Sequence, residues 1–494
     1  MREPFAEGVT RDHSTTWLVL VIALATALRL FRLGTKSFWL DEAESLILAQ
    51  VNWHVFLSSL IHRQANMALY YLLLRVWTHL GTSEFAARSL SVLSGVATIP
   101  ATHQLGKNLF GPKTGRLAAL LLCCQVFHIR YSQEARGYSL LVLLAVLSTL
   151  FLLRAVRAPS VRGWIGYVFV STLMLYAQVF GYLVLLSQWI SLWRLRDKVD
   201  RRGFWGSLVT IHLLISPLAF CLLVVSDRSQ LSWLAKPSLS TIYSFVLDLT
   251  GNGGGVIVVL CALLAFVAVI FGKLPQHAQA VFDLWKFRFL TIWLLLPIAT
   301  VLVFSFRWPA FSPRFLIPCL VPMVLLVAEG VNRMPSRIIG TGALLLLLAF
   351  WLNTAFSYYQ SRADVEHTDD WRDGTSYVLS RAEPGDAVLF TYSEERLAFE
   401  EYQRQFHRAS APIQQFPEGS DFDLLTRRPS RPDDELVKRV ANSHARVWVV
   451  SAFQPDSASR RVAALLGRHF NDYVARNFGF LRVQLFAKPS MAKQ

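Results

Sequence analysis

The sequence has 494 residues, of which 53% are hydrophobic and only 17% charged, where a soluble chain of this size carries about a quarter charged. Together with a mean hydropathy of +0.39, this excludes an array of soluble domains. What remains is a polytopic bundle of membrane-crossing helices with a small polar appendage. The net charge of +16 sits mostly in short loops between apolar stretches, as topology demands of Lys and Arg. No basic run with interleaved aromatics offers a nucleic-acid surface, so the partners expected are membrane lipid and no nucleic acid.

In chain order, an N-terminal arm carrying Arg2, Arg11 and His13 leads into an apolar stretch over 17–33 with no small-residue cleavage site after it. It reads as a retained anchor. Further crossings are predicted over 86–109, 116–130, 138–154, 164–177, 181–194, 204–226, 254–272, 288–306, 314–332 and 338–356. The pair over 164–194 is cramped and reads as a hairpin of two short helices turning near Gln178. The stretch 69–77 is short and interrupted by Arg75, so it reads as an interfacial helix. That gives about eleven crossings.

With the N-terminus inside, the loops 107–116, 154–162, 194–202, 272–288 and 332–337 share the inner side. These are the Lys/Arg-rich ones, as the positive-inside rule requires. The outer side then receives 34–85, 131–137, 178–180, 227–253, 307–313 and the C-terminal region. Residues 1–359 form the membrane domain and 360–494 an extracytoplasmic α/β domain, with strands at 388–392, 446–453 and 479–487 and helices near 370–381, 394–406, 433–441 and 458–470. The cysteines, Cys123, Cys124, Cys221, Cys261 and Cys319, all fall in apolar segments without metal or redox spacing.

Three polar clusters fall on the outer side. The first loop opens with Phe38-Trp39-Leu40-Asp41-Glu42-Ala43-Glu44-Ser45. Its carboxylates either decorate an acidic helix start or supply a general base, Asp41, for a hydroxyl. The second cluster is Arg130-Tyr131-Ser132-Gln133-Glu134-Ala135-Arg136-Gly137-Tyr138. Arg130 and Glu134 stand four apart and suit a helix-surface pair, which leaves the other polar groups at membrane depth to be explained. The third is Pro313-Arg314-Phe315-Leu316-Ile317-Pro318. Arg314 either snorkels to the interface or offers its fork to a phosphate. Gln133, Tyr138 and Gln178 can hydrogen-bond a sugar or acceptor, or anchor the interface. Trp371-Arg372 reads as a helix start packed on the bundle, or as a guide for the acceptor. The glycine run Gly251-Asn252-Gly253-Gly254-Gly255 lacks the Lys-Ser/Thr ending of a nucleotide loop and reads as a flexible connection.

The ordered set Phe38–Ala43, Leu69-Tyr70-Tyr71, Tyr131–Tyr138 and Pro313–Leu316 resembles bacterial membrane glycosyltransferases of the C-type (GT-C) fold. The similarity is to protein O-mannosyltransferases and to the aminoarabinose transferases that modify lipid A. It covers about 17 to 335, and the Asp370-Trp371-Arg372 and Pro384-Gly385-Asp386 segments extend it.

The resemblance implies a polyprenyl-phosphate sugar donor and a glycan, lipid or protein acceptor. It also implies an inverting transfer outside the cytoplasmic membrane and no cofactor. It places the catalytic residues at Asp41 and Glu42. Substrate-binding roles go to Arg136 and Arg314 at the carrier phosphate, with Gln133, Glu134, Tyr138 and Tyr70 around them. The chain departs from some relatives before the Leu-Tyr-Tyr segment. It reads Gln64-Ala65-Asn66-Met67-Ala68, without an acidic metal ligand or phosphate-binding lysine, and leaves His62 and Arg63 as the nearest alternatives. No metal site is expected. Two other readings stay open: a transporter or flippase of a lipid-linked sugar, disfavoured by the lack of repeated halves, and an oligosaccharide transferase using a diphosphate carrier.

Overall fold

The computed structural model describes residues 13–195, 199–225, 236–271, 280–360, 369–406, 413–419, 425, 430–452 and 457–488. The arm with Arg2 and Arg11, and parts of the loops predicted at 194–202, 227–253 and 272–288, lie outside them. Six described helices are long and apolar enough to cross a membrane: Tyr138–Arg157, Arg201–Val225, Gly254–Phe271, Leu284–Arg307, Pro313–Asn332 and Arg337–Gln360. Four shorter apolar helices accompany them, at Thr15–Leu30, Val161–Ala177, Gly181–Leu192 and Leu239–Leu249. The chain is a multi-pass helical membrane protein.

Helix α1 (His13–Leu30) is followed by the short α2 (Leu40–Gln50), α3 (Trp53–Ser59) and α4 (Ala68–Trp77) of the first loop. The ten residues of α4 span about 15 Å, half a hydrocarbon core, and Arg75 ties it back to the carbonyls of Ala49 and Val51 at 3.2 and 2.6 Å. Next come α5 (Glu84–Phe110), α6 (Pro112–Cys124), α7 (Val126–Ser132), α8 (Tyr138–Arg157), α9 (Val161–Ala177), α10 (Gly181–Leu192) and α11 (Arg201–Phe220). The predicted hairpin of short helices is α9 and α10.

The single helix predicted over 116–130 is instead two, because the chain breaks at Gln125. The Gln125 side chain accepts the His128 N–H and donates to the carbonyls of Asp248 and Leu249. The carbonyls of Leu122 and Cys123, which lose their helical donors at the break, accept from buried Arg29 at 3.3 and 3.2 Å. An apolar interior tolerates such a break only with partners of this kind.

Helix α12 (Leu239–Leu249) lies inside a stretch predicted as loop, and α13 (Gly254–Phe271) follows a tight turn rather than a flexible connection. Gly251 in that turn has φ +93°, and Trp351 packs where a side chain would stand, its indole donating to Thr250 O at 2.7 Å. Helix α14 (Ala280–Arg307) leads to a 3-10 turn (Pro313–Cys319), then α15 (Leu320–Asn332) and α16 (Arg337–Gln360). Loops predicted to share one side do meet: Arg157 donates to Asn108 O, and Asn332 to Thr114.

Beyond α16, α17 (Trp371–Arg381) and α18 (Glu395–Gln405) cover a five-stranded sheet, with two more helices at Asp434–Ser443 and Ser457–Leu466. The strands are β1 (Ala387–Phe390), β2 (Gln414–Phe416), β3 (Arg446–Ser451), β4 (Asp472–Phe478) and β5 (Leu481–Ala487), in the order β2-β1-β3-β5-β4. β1 runs parallel to β2 and β3, whereas β5 is antiparallel to β3 and β4. Three strands were predicted. β4 is almost wholly exposed and so lacks a buried face to mark it, and β2 has only three residues. Alternation splits the sheet. Val388, Phe390, Trp448 and Val450 join the core shared with the membrane bundle, while Ala387, Leu389, Val447 and Val449 face a separate small core.

Candidate active site

Trp39 precedes α2, and Asp41 and Glu42 fall in its first turn, where the exposed backbone N–H groups favour acids. Successive helical residues point about 100° apart, so the two neighbouring carboxylates have different fates. Glu42 is fully buried. Its Oε1 accepts from Arg88 Nε at 2.8 Å and from the Ala135 N–H at 2.7 Å, and its Oε2 from Arg88 Nη2 at 2.7 Å. Arg88 also holds the carbonyls of Leu33, Lys36 and Ser37. This pair fastens the first loop to α5 and to the 133–137 turn.

Asp41 turns the other way and keeps 28% of its side chain exposed. Its Oδ2 lies 3.1 Å from Arg314 Nη1 and 3.7 Å from Arg136 Nη2. Both guanidiniums are buried, and Trp39 lies 5.3 Å from that of Arg314. Arg136 Nη1 donates to Ser45 Oγ and to the Tyr71 hydroxyl, each at 3.0 Å. Arg136 Nε is buried with no acceptor among the described residues. Tyr138 and Tyr131 stand in electrostatic reach of Arg314, beside Asp41 and Arg136. The first loop, the 131–138 segment and the 3-10 turn thus converge on one carboxylate between two arginines.

Other predicted residues stand apart from that centre. Gln133 donates to the carbonyls of Arg29 and Phe31 and so closes the end of α1. Glu134 lies 3.7 Å from Arg130, the helix-type pair foreseen as the plain alternative. The Tyr70 hydroxyl bonds Ser91 Oγ at 2.8 Å deep in the bundle. His62 is exposed and bonded to Ser58 O on its own turn. Gln178 is buried, its Oε1 accepting the Phe180 N–H at 3.5 Å. Arg372 packs on Glu84 and the carbonyls of Gly34 and Thr35, the structural one of its two readings. No group of three or more His, Cys, Asp or Glu suited to a metal ion occurs among the described residues.

Neighbouring residues extend this centre. Gln64 donates to Glu44 Oε1 at 2.9 Å and accepts from Tyr71 at 2.8 Å. Arg63 pairs with Glu394 of the C-terminal domain at 2.7 Å. Burial pushes the Glu44 carboxyl up to about 7 against the pull of Arg63, with Glu394 and Asp41 raising it further and Arg136 lowering it. Helical spacing was the available signal, since Glu44 and Ser45 lie three and four residues from Asp41 on one face.

Residues 66–221 match the family described as dolichyl-phosphate-mannose-protein mannosyltransferase. The match includes Arg88 and Arg136 and stops short of Asp41 and Arg314. Among solved structures, ArnT from Cupriavidus metallidurans bound to undecaprenyl phosphate superposes with a TM-score of 0.62 at 12% identity, over 97% of this chain and 99% of that one. Its apo form gives 0.64 at 12% identity over 98% and 100%. The chain has the GT-C glycosyltransferase fold. A more distant GT-C structure, oligosaccharyltransferase AglB from Archaeoglobus fulgidus with an inhibitory peptide and a dolichol-phosphate, gives a TM-score of 0.54 at 11% identity over 98% of this chain and 75% of that one. No curated protein sequence matches.

Proposed function

We propose that this protein is an inverting glycosyltransferase that moves a sugar from a polyprenyl-phosphate carrier to an acceptor hydroxyl at the extracytoplasmic face of the cytoplasmic membrane. One observation carries the reading: two buried guanidiniums share the single carboxylate of Asp41. Both guanidiniums point donors at the same spot beside Asp41, an arrangement that a second anion can join. A phosphate suits it, since forked guanidiniums match phosphate oxygens and Arg136 Nε has a donor to spare. The similar ArnT and AglB structures hold undecaprenyl phosphate and a dolichol-phosphate, which supports a lipid-phosphate donor here.

In the resting arrangement the Asp41 carboxylate is engaged by Arg314. An arriving carrier phosphate competes for both arginines and frees the carboxylate. Asp41 then takes the proton of the acceptor hydroxyl as that oxygen bonds to the anomeric carbon. The bond from that carbon to the phosphate oxygen breaks, and its electron pair leaves with the carrier. The arginines stabilise the growing phosphate charge, an effect worth about 3–4 kcal/mol per well-placed donor. Displacement from the face opposite the leaving group inverts the anomeric centre. Glu42 acts as a positioning residue that holds α2 in place.

The test is transfer of labelled sugar from a polyprenyl-phosphate donor by membranes carrying wild type or Asp41→Asn. Wild type should release free carrier, and the variant should lose about 10²–10⁴ in rate at equal protein level. Equal rates would move the base elsewhere. No transfer over a broad donor and acceptor panel, with donor crossing the bilayer instead, would establish a transporter.

A further inference from the structure

We propose that Glu44, Gln64 and Tyr71 are positioning residues that aim the Arg136 guanidinium, and that Arg63 and Glu394 tie that aim to the seating of the C-terminal domain. The inference rests on the reading of Arg136 as a carrier-phosphate ligand.

The hydrogen bonds run in a line from Arg136 Nη1 to the Tyr71 oxygen, from the Tyr71 hydroxyl to Gln64 Oε1, and from Gln64 Nε2 to Glu44 Oε1. Each has one possible direction. Arginine only donates, so the Tyr71 oxygen accepts and must send its own proton onward. Gln64 receives it on its amide oxygen, which turns the amide nitrogen toward Glu44, and an ionised carboxylate only accepts. A chain with both ends fixed in polarity holds its middle members in one orientation. Such chains polarise along their length, so charge on Glu44 strengthens the grip on Arg136 at the other end. Ser45 Oγ and the Asp41 carbonyl hold the same Nη1 from α2, so the guanidinium is gripped from both sides.

Glu44 is faced by Arg63 from the turn before α4, by Glu394 at the start of α18, by Asp41 on its own helix and by Arg136 from the 131–137 turn. Arg63 favours its charged form, and Glu394 neutralises Arg63 at 2.7 Å. The C-terminal domain thereby sets how much positive charge Glu44 feels. Since its carboxyl sits near 7, Glu44 is largely ionised above that pH and largely neutral below it. The grip on Arg136 therefore tightens as pH rises through about 7.

The experiment measures polyprenyl-phosphate binding by the purified full chain in nanodiscs between pH 5.5 and 8.5, alongside sugar transfer. Wild type should bind more tightly as pH rises through 7. Glu44→Gln and Tyr71→Phe, which keep shape and packing, should lose that rise and weaken the carrier KM or Kd by about tenfold, the size of one charge-assisted hydrogen bond. Glu394→Gln should move the rise to lower pH, because it removes a like charge and frees Arg63. Unchanged pH dependence in all three variants, with wild type binding normally, would overturn the relay. Binding without transfer by wild type would sink the enzyme reading and leave the relay standing. Absence of both would remove the two together.

Discussion

Asp41 and Glu42 are neighbours of identical chemistry that the sequence does not separate, because which of them meets Arg88 and which meets Arg314 depends on helices far along the chain. The resemblance puts the base on Asp41 with Glu42 beside it, but nothing local says that Glu42 is buried in an ion pair with Arg88. The same applies to Gln133 and Tyr70, whose polar atoms close α1 and bond Ser91. Arg136 and Arg314 differ in that their motifs mark them in the sequence and the fold brings both to Asp41. The two carboxylates predict opposite phenotypes. Arg88→Met should strand Glu42 without its counter-charge and cost about 3–5 kcal/mol, read as a large drop in Tm of the purified protein in detergent. Arg314→Met faces a partly exposed carboxylate, so it should lower Tm little and cut kcat about 10²–10³-fold.

At the scale of elements, most crossings were readable from apolar length alone, and the two departures share a cause. Apolar length misses both: the run over 116–130 has no helix breaker to announce its division at Gln125, and the helix over 239–249 has only 11 residues, too few to register as a crossing. The division is stable because Arg29 and Gln125 supply donors from elsewhere, and an apolar-length rule is blind to them. Arg29 is fully buried and also lies 2.8 Å from His128 Nδ1. Arg29→Met should therefore uncover the carbonyls of Leu122 and Cys123 together, at about 1–3 kcal/mol for each group left unpaired. The expected result is a lower Tm and faster amide exchange confined to the α6–α7 junction. Uniform loosening of the whole bundle would contradict the local account.

For the whole molecule, the sequence divided the chain into bundle and appendage but concealed how they join. Tyr402 of α18 receives the Phe38 N–H at 2.6 Å and donates to Glu84 at 2.7 Å, across a separation of 318 residues. Arg372 reaches the same carboxylate at 2.5 Å, and Gln50 bonds Glu401 at 3.2 Å. Contacts of that separation leave no trace in local periodicity. They place the C-terminal domain directly on the loop that carries Asp41. Tyr402→Phe should loosen this seat by about 1–3 kcal/mol, detected as faster hydrogen exchange over 34–50 while the exchange of α8 and α15 stays unchanged. Loss of protection throughout would mean that the domain holds up the bundle itself.

The sharing of Asp41 between two arginines also dictates an order of events. With carrier absent, the base is masked, so an acceptor that arrives first meets an inert pocket and must wait or leave. With carrier present, the base is exposed beside a reactive anomeric carbon, and only then does exclusion of water matter. The kinetics should accordingly be ordered, donor before acceptor. Spent carrier should compete with fresh donor, and loss of sugar to water should arise only while donor sits in the pocket without an acceptor.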